Sequence, residues 1–161
     1  MTQINLVIKL FAGLLCLSLL ACSGSKSTYP QTAEVSFVSS PNTGVVMVNA
    51  MGYGKTDKDA EQDAFVTAFN TILFKGLPAF GGLRKPMIDD ESKARSEHAT
   101  YFKKFFGDRG YLGYVTAQQP PVAAGKSDDK KNKRVQKSIT INYESLRTNL
   151  EKEGVIRKFG F

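Results

Sequence analysis

The chain of 161 residues has no tryptophan, one histidine and two cysteines. Each shortage closes off a chemistry. His98 would have to supply any imidazole of a nucleophile–His–acid arrangement. It lies between Glu97 and Ala99 in a polar stretch, which reads as surface. Metal centres are built from clusters of His, Cys or carboxylate. The acidic runs Asp89-Asp90-Glu91 and Asp128-Asp129 read instead as a helix start and a solvated loop. No metal and no cofactor is therefore expected. Cys16 lies inside an apolar leader and Cys22 closes it, so no disulfide can form in the rest of the chain. Long apolar runs are missing too. Leu10 to Ala21 spans 12 residues with Ser18 inside it, against about 20 for a membrane-crossing helix.

What is present begins with that leader. Lys9, an apolar stretch and small residues before a break are the three parts of an export signal. A buried core helix of this length is the alternative. Against it, the following Ser23-Gly24-Ser25-Lys26-Ser27-Thr28 has linker composition. Leu19-Leu20-Ala21-Cys22 resembles the lipobox of bacterial lipoproteins. That resemblance implies a signal peptide over 1–21, an acylated Cys22 and attachment to the membrane through it. Ser23 in place of Asp implies the outer membrane. Residues 22–32 are then a flexible tether and 33–161 a single domain, long enough to bury a core.

The formal net charge is +7, and loss of Lys9 with the leader lowers it by one. Lys126, Lys130, Lys131, Lys133 and Arg134 crowd together, offset by Asp128 and Asp129. Such a run attracts an anionic glycan or lipid, or it simply keeps a loop solvated. It has no interleaved aromatics on which bases could stack, so nucleic acid is not an expected partner.

Residues 34–38 and 45–50 read as strands joined by the turn Pro41-Asn42-Thr43-Gly44. A helix follows, capped by Thr56 or Asp57, with Ala60, Ala64, Ala68 and Ile72 on one face and Gly76 at its end. Small residues at this spacing allow close approach to a sheet. Residues 77–88, with Pro78, Gly81, Gly82 and Pro86, read as loop; 90–106 as a second helix; and 110–117 as a strand. Residues 120–133 read as a loop. Val135 to Tyr143 alternate, with Val135, Lys137, Ile139, Ile141 and Tyr143 on one side. A short helix over 144–153 carries Leu146 and Leu150 and stops at Gly154. The order β-β-α-α-β-β-α predicts an α+β fold, an antiparallel sheet of about four strands with helices on one face.

Gly54-Lys55-Thr56, after a strand and before a helix, has the setting of a phosphate-binding loop. Asn49 stands where the first glycine of that pattern is required, and export argues against a nucleotide ligand. Gly52, Gly54, Lys55 and Thr56 therefore read as a tight turn and cap, or as a site for some other anion at a helix N-terminus. Lys130, Lys131, Lys133 and Arg134 are the second candidate anion site. No catalytic residue is singled out.

Gly52, Gly54, the Ala60–Ala64–Ala68 period, the strand Ile139–Tyr143, Leu146, Leu150 and Gly154 are together similar to LPP20-like and flagellar-assembly-type lipoprotein domains. More distantly they resemble the N-terminal domain of TolB-type proteins. This resemblance implies a cell-envelope domain that binds other proteins or supports assembly, without catalytic residues. The expected function is a non-enzymatic outer-membrane lipoprotein whose periplasmic or surface domain binds or helps assemble another envelope component. One alternative binds an anionic glycan or lipid through the basic loop. Another is an envelope hydrolase with acidic catalytic groups, which requires a cleft with two carboxylates of displaced pKa.

Overall fold

Two ten-residue strands, paired along their whole length, carry the architecture. They are β2 (Val45–Gly54) and β5 (Lys133–Asn142), antiparallel from Val45↔Asn142 to Gly54↔Lys133. The computed structural model describes residues 35–77, 85–126 and 132–158, all within the unit Gln31–Phe161. The leader, Cys22, the tether, Lys130 and Lys131 lie outside the described residues. β1 (Val35–Ser39) borders β2, and β3 (Val115–Gln118) and β4 (Val122–Lys126) both border β5. All pairings are antiparallel. The expected α+β class is what the chain adopts.

The helices are α1 (Asp57–Asn70), α2 (Glu91–Glu97), α3 (Ala99–Phe102) and α4 (Tyr143–Lys152). α1 and α3 run on into single π-turns, Thr71–Lys75 and Lys103–Gly107. A 3₁₀ turn, Gly110–Tyr114, precedes β3. Register places Val46, Val48, Ala50, Gly52 and Gly54 on one face of β2, opposite Ile141, Ile139, Lys137, Val135 and Lys133. Val46, Val48, Ala50, Ile139 and Ile141 share one core with residues from every helical element, including Ala64, Ala68, Ala94, Phe102, Tyr111, Leu146 and Leu150. Described helices therefore pack on that face. The other face pairs polar side chains: Ser138 Oγ donates to Asn49, and Arg134 lies over the Tyr53 ring.

Ala60, Ala64 and Ala68 are fully buried, as the four-residue period predicts. Their smallness matters because β2 meets them with glycine. A Cβ built on Gly52 would stand 2.0 Å from the Ala60 carbonyl oxygen, and one on Gly54 would stand 2.4 Å from the Ala60 nitrogen. The helix thus rests on bare backbone. Phe65, Phe69, Phe105 and Tyr111 fill the space beside this contact, with ring centroids 5.4–6.2 Å apart in the Phe65–Tyr111, Phe69–Phe105, Phe69–Tyr111 and Phe105–Tyr111 pairs. Such pairs add about 0.5–1.5 kcal/mol each beyond area burial.

Three expectations change. Residues 122–126, read as loop, are a fifth strand: the exposed edge of β5 templates a segment whose own composition is not strand-like. Pro120 and Pro121 split what would be one edge strand, because proline removes a ladder donor; Gln119 N still donates to Ser138 O at 3.0 Å. The helix over 90–106 breaks at His98 (φ −117, ψ 37). Finally, Gly110–Tyr114 coils rather than extends, burying Tyr111 among the phenylalanines.

Gly52→Ala is expected to destabilise the domain by about 2–3 kcal/mol through overpacking. Gly113→Ala, with nothing within 4 Å of the added carbon, is expected to cost under about 1 kcal/mol. Urea unfolding of both variants checks the contrast.

Candidate functional site

Of the second candidate anion segment only Lys133 and Arg134 are described, and these two meet the first, about 80 residues earlier in sequence, at one end of the sheet. Gly54 pairs with Lys133 and Tyr53 with Arg134. Lys55 and Thr56 turn from β2 into α1, and both are exposed. Gly52 and Gly54 lie inside β2 rather than in a loop, and their missing side chains are filled by α1.

The helix start supplies its own partners. Thr56 Oγ1 accepts from Asp59 N at 3.1 Å while Asp59 Oδ2 accepts from Thr56 N at 3.2 Å, a reciprocal capping box. Lys133 Nζ donates to Asp57 Oδ2 at 2.7 Å. One turn on, Asp63 Oδ2 accepts from Tyr53 N at 2.9 Å. Burial pushes the Asp63 carboxyl above its ordinary value, and the Tyr53 bond pulls the other way. The Arg134 guanidinium carbon is 5.9 Å from the Tyr53 ring centroid. The corner thus presents Lys55, Lys58, Lys133 and Arg134 interspersed with Asp57, Asp59 and Glu61.

Behind the corner, Lys137 is buried on the helix face of β5, where alternation places it. Its ammonium donates to Glu61 of α1 and sits 5.2 Å from the Phe65 ring centroid. A buried ammonium requires such a partner.

A larger concavity than this corner offers lies elsewhere among the described residues. A groove of about 860 Å³ runs between the segment 87–90, α2 and the end of α4. Met87, Ile88, Val155 and Ile156 give it an apolar floor; Asp89, Glu97, His98, Lys93, Arg147 and Arg157 border it. Backbone bonds shape both walls: Ile88 N donates to Leu73 O at 2.9 Å, and Val155 N donates to Leu150 O at 2.9 Å. Asp90 caps α2, its Oδ1 accepting from Lys93 N at 2.9 Å. Arg147 pairs with Glu151 at 3.0 Å. The single histidine, read from sequence as surface, lines this groove beside carboxylates. Among the described residues no three of His, Cys, Asp or Glu come together as a metal-ligand group.

Sequence reasoning missed the groove because its walls come from segments about 50 or more residues apart, each with an ordinary structural role. Its one available signal was the apolar pair Met87-Ile88 after Pro86 in an otherwise polar stretch.

Asp63 makes stability depend on pH in a defined sense. Its folded-state pKa lies above the unfolded one, so the folded state binds more protons in that window and stability falls as pH rises through it. Asp63→Asn keeps an oxygen for Tyr53 N without the buried charge. Its stability relative to wild type is expected to improve as pH rises from about 4 to about 7, measured by urea midpoints. A pH-independent difference would refute the assignment.

No protein-family model, no curated protein and no solved structure matches this chain.

Proposed function

We propose that the protein is an exported lipoprotein, held at the outer membrane by an acylated Cys22, whose folded domain binds another cell-envelope protein without catalysing a reaction. The anchor rests on Leu19-Leu20-Ala21-Cys22 and the cationic, apolar leader before it. The observation that carries the binding role is the groove beside α2 and α4. Its apolar floor of Met87, Ile88, Val155 and Ile156 is flanked by side chains of both signs. That is the make-up of a surface for a polypeptide segment, with apolar anchors in the centre and a polar rim. The polar groups at the other candidate site support the same reading, since Thr56, Asp59 and Asp63 each accept from a backbone amide and Lys133 pairs with Asp57.

A photo-crosslinking side chain at Lys93, an exposed groove residue, is expected to capture one major envelope protein in growing cells. Ile156→Asp, which places a charge on the floor, is expected to reduce that adduct about tenfold, the equivalent of about 1.4 kcal/mol. Cys22→Ala is expected to move the protein out of the membrane fraction. No adduct, or one insensitive to Ile156→Asp, would sink the binding role; a membrane-bound Cys22→Ala protein would sink the anchor.

The register that sets Lys133 and Arg134 beside Gly54 and Tyr53, near Lys55 and Lys58, favours a second reading: contact with an anionic glycan or lipid. Binding to vesicles rich in anionic lipid is then expected to weaken as salt rises. Neutralising Lys130, Lys131 and Lys133 together is expected to weaken it further. Unchanged binding in that variant removes this reading.

A further inference from the structure

A second, smaller pocket of about 230 Å³ lies between α1 and the chain that leads into β3. Lys58, Glu61, Gln62 and Phe65 form its helical wall, spaced so that all four share one face of α1. Arg109, Tyr111 and Leu112 form the facing wall, and Gln118 closes one end. It shares no residue with the groove.

Three observations bear on what it holds. The first is charge. Lys58 and Arg109 line the pocket together with one carboxylate, Glu61. That carboxylate already accepts from the buried Lys137 ammonium. Two cations therefore face the pocket with their local anion compensated from behind.

The second is backbone. Arg109 is the one non-glycine residue with positive φ among the described residues (φ 59, ψ 31), a conformation other L residues rarely adopt. The turn it makes brings its Nη2 to Gln62 Oε1 at 2.5 Å, so the guanidinium is held across the pocket. The third is exposure. Leu112 is 42% exposed on the pocket wall, beside the Phe65 and Tyr111 rings, whose centroids are 6.0 Å apart.

We infer that this pocket binds a small organic anion, its carboxylate or phosphate held by Arg109 and Lys58 and its apolar body set against Leu112 and Phe65. A guanidinium fork suits either oxyanion, and the Gln62 and Gln118 amides add neutral partners. The volume is below the roughly 300 Å³ at which drug-sized sites begin, so the ligand is of single-ring size.

The test uses the full-length protein, isotope-labelled in detergent micelles, titrated with benzoate and with phenyl phosphate. Benzyl alcohol and benzylamine are the neutral and cationic counterparts. At least one of the two anions is expected to give saturable shifts of the Gln62, Tyr111 and Leu112 amides, about tenfold tighter than the alcohol or amine. The anion that binds tighter identifies the head group. Arg109→Gly tests the site without endangering the turn, since glycine adopts this φ freely. It is expected to keep the native spectrum and to lose about tenfold in anion affinity, equal to about 1.4 kcal/mol. Lys58→Gln, on the exposed helix surface, is expected to weaken binding in the same direction. Benzyl alcohol binding as tightly as the anions, unchanged affinity in Arg109→Gly, or no saturable response to either anion overturns the inference.

Discussion

The close seating of α1 on β2 is the constraint on which the rest of this structure depends. Gly52 and Gly54 offer backbone where other residues would offer side chains, and Ala60 and Ala64 answer with the smallest side chain available. Close packing of this kind leaves no tolerance for an added methyl group. It sets the height of the helix above the sheet. At that height Asp63 reaches the Tyr53 amide, Asp57 reaches Lys133 and Glu61 reaches Lys137. Phe65 and Phe69 then overhang the helix flank, where Tyr111 and Phe105 meet them.

Two ion pairs between α1 and β5, Lys133–Asp57 and Lys137–Glu61, differ in kind. Lys133 and Asp57 are more than half exposed, and such pairs contribute about 0–1 kcal/mol. Lys137 is buried, and without Glu61 its charge would be stranded under the helix. Its value lies in specificity: only one rotation of α1 about its axis brings Glu61 over Lys137. That rotation also turns Lys58, Gln62 and Phe65 toward Arg109. A sheet-facing contact made of alanine and glycine thereby decides what the flank of the helix can present.

The sheet's edge strands and the helical layer divide the remaining work. Pro120 and Pro121 interrupt the edge beside β5, which limits strand pairing with other chains there. On the helical side, the tail after α4 and the segment after Pro86 run beside α2 and leave the long groove between them. This places the proposed partner contact on irregular segments supported by a rigid sheet, where binding surfaces are commonly built.

Much of this fold was legible in the residues. The alternation from Val135 to Tyr143 identified β5 and put Lys137 on its apolar side; the alanine period identified the buried face of α1; Gly76 and Gly154 marked helix ends, both with positive φ. These are local patterns, and local backbone geometry obeys them. The strand at 122–126 was not legible, because an edge strand borrows its conformation from its neighbour. Nor was the coil at 110–114, where burying Tyr111 outweighed strand propensity. The leader and Cys22 speak through sequence alone. The convergence of Lys133 with Gly54, the pairing of Lys137 with Glu61, the groove around His98 and the pocket under Arg109 were decided by tertiary structure. Each joins residues about 45 to 80 positions apart, and no local pattern records which distant side chains a sheet register and a helix rotation will bring together.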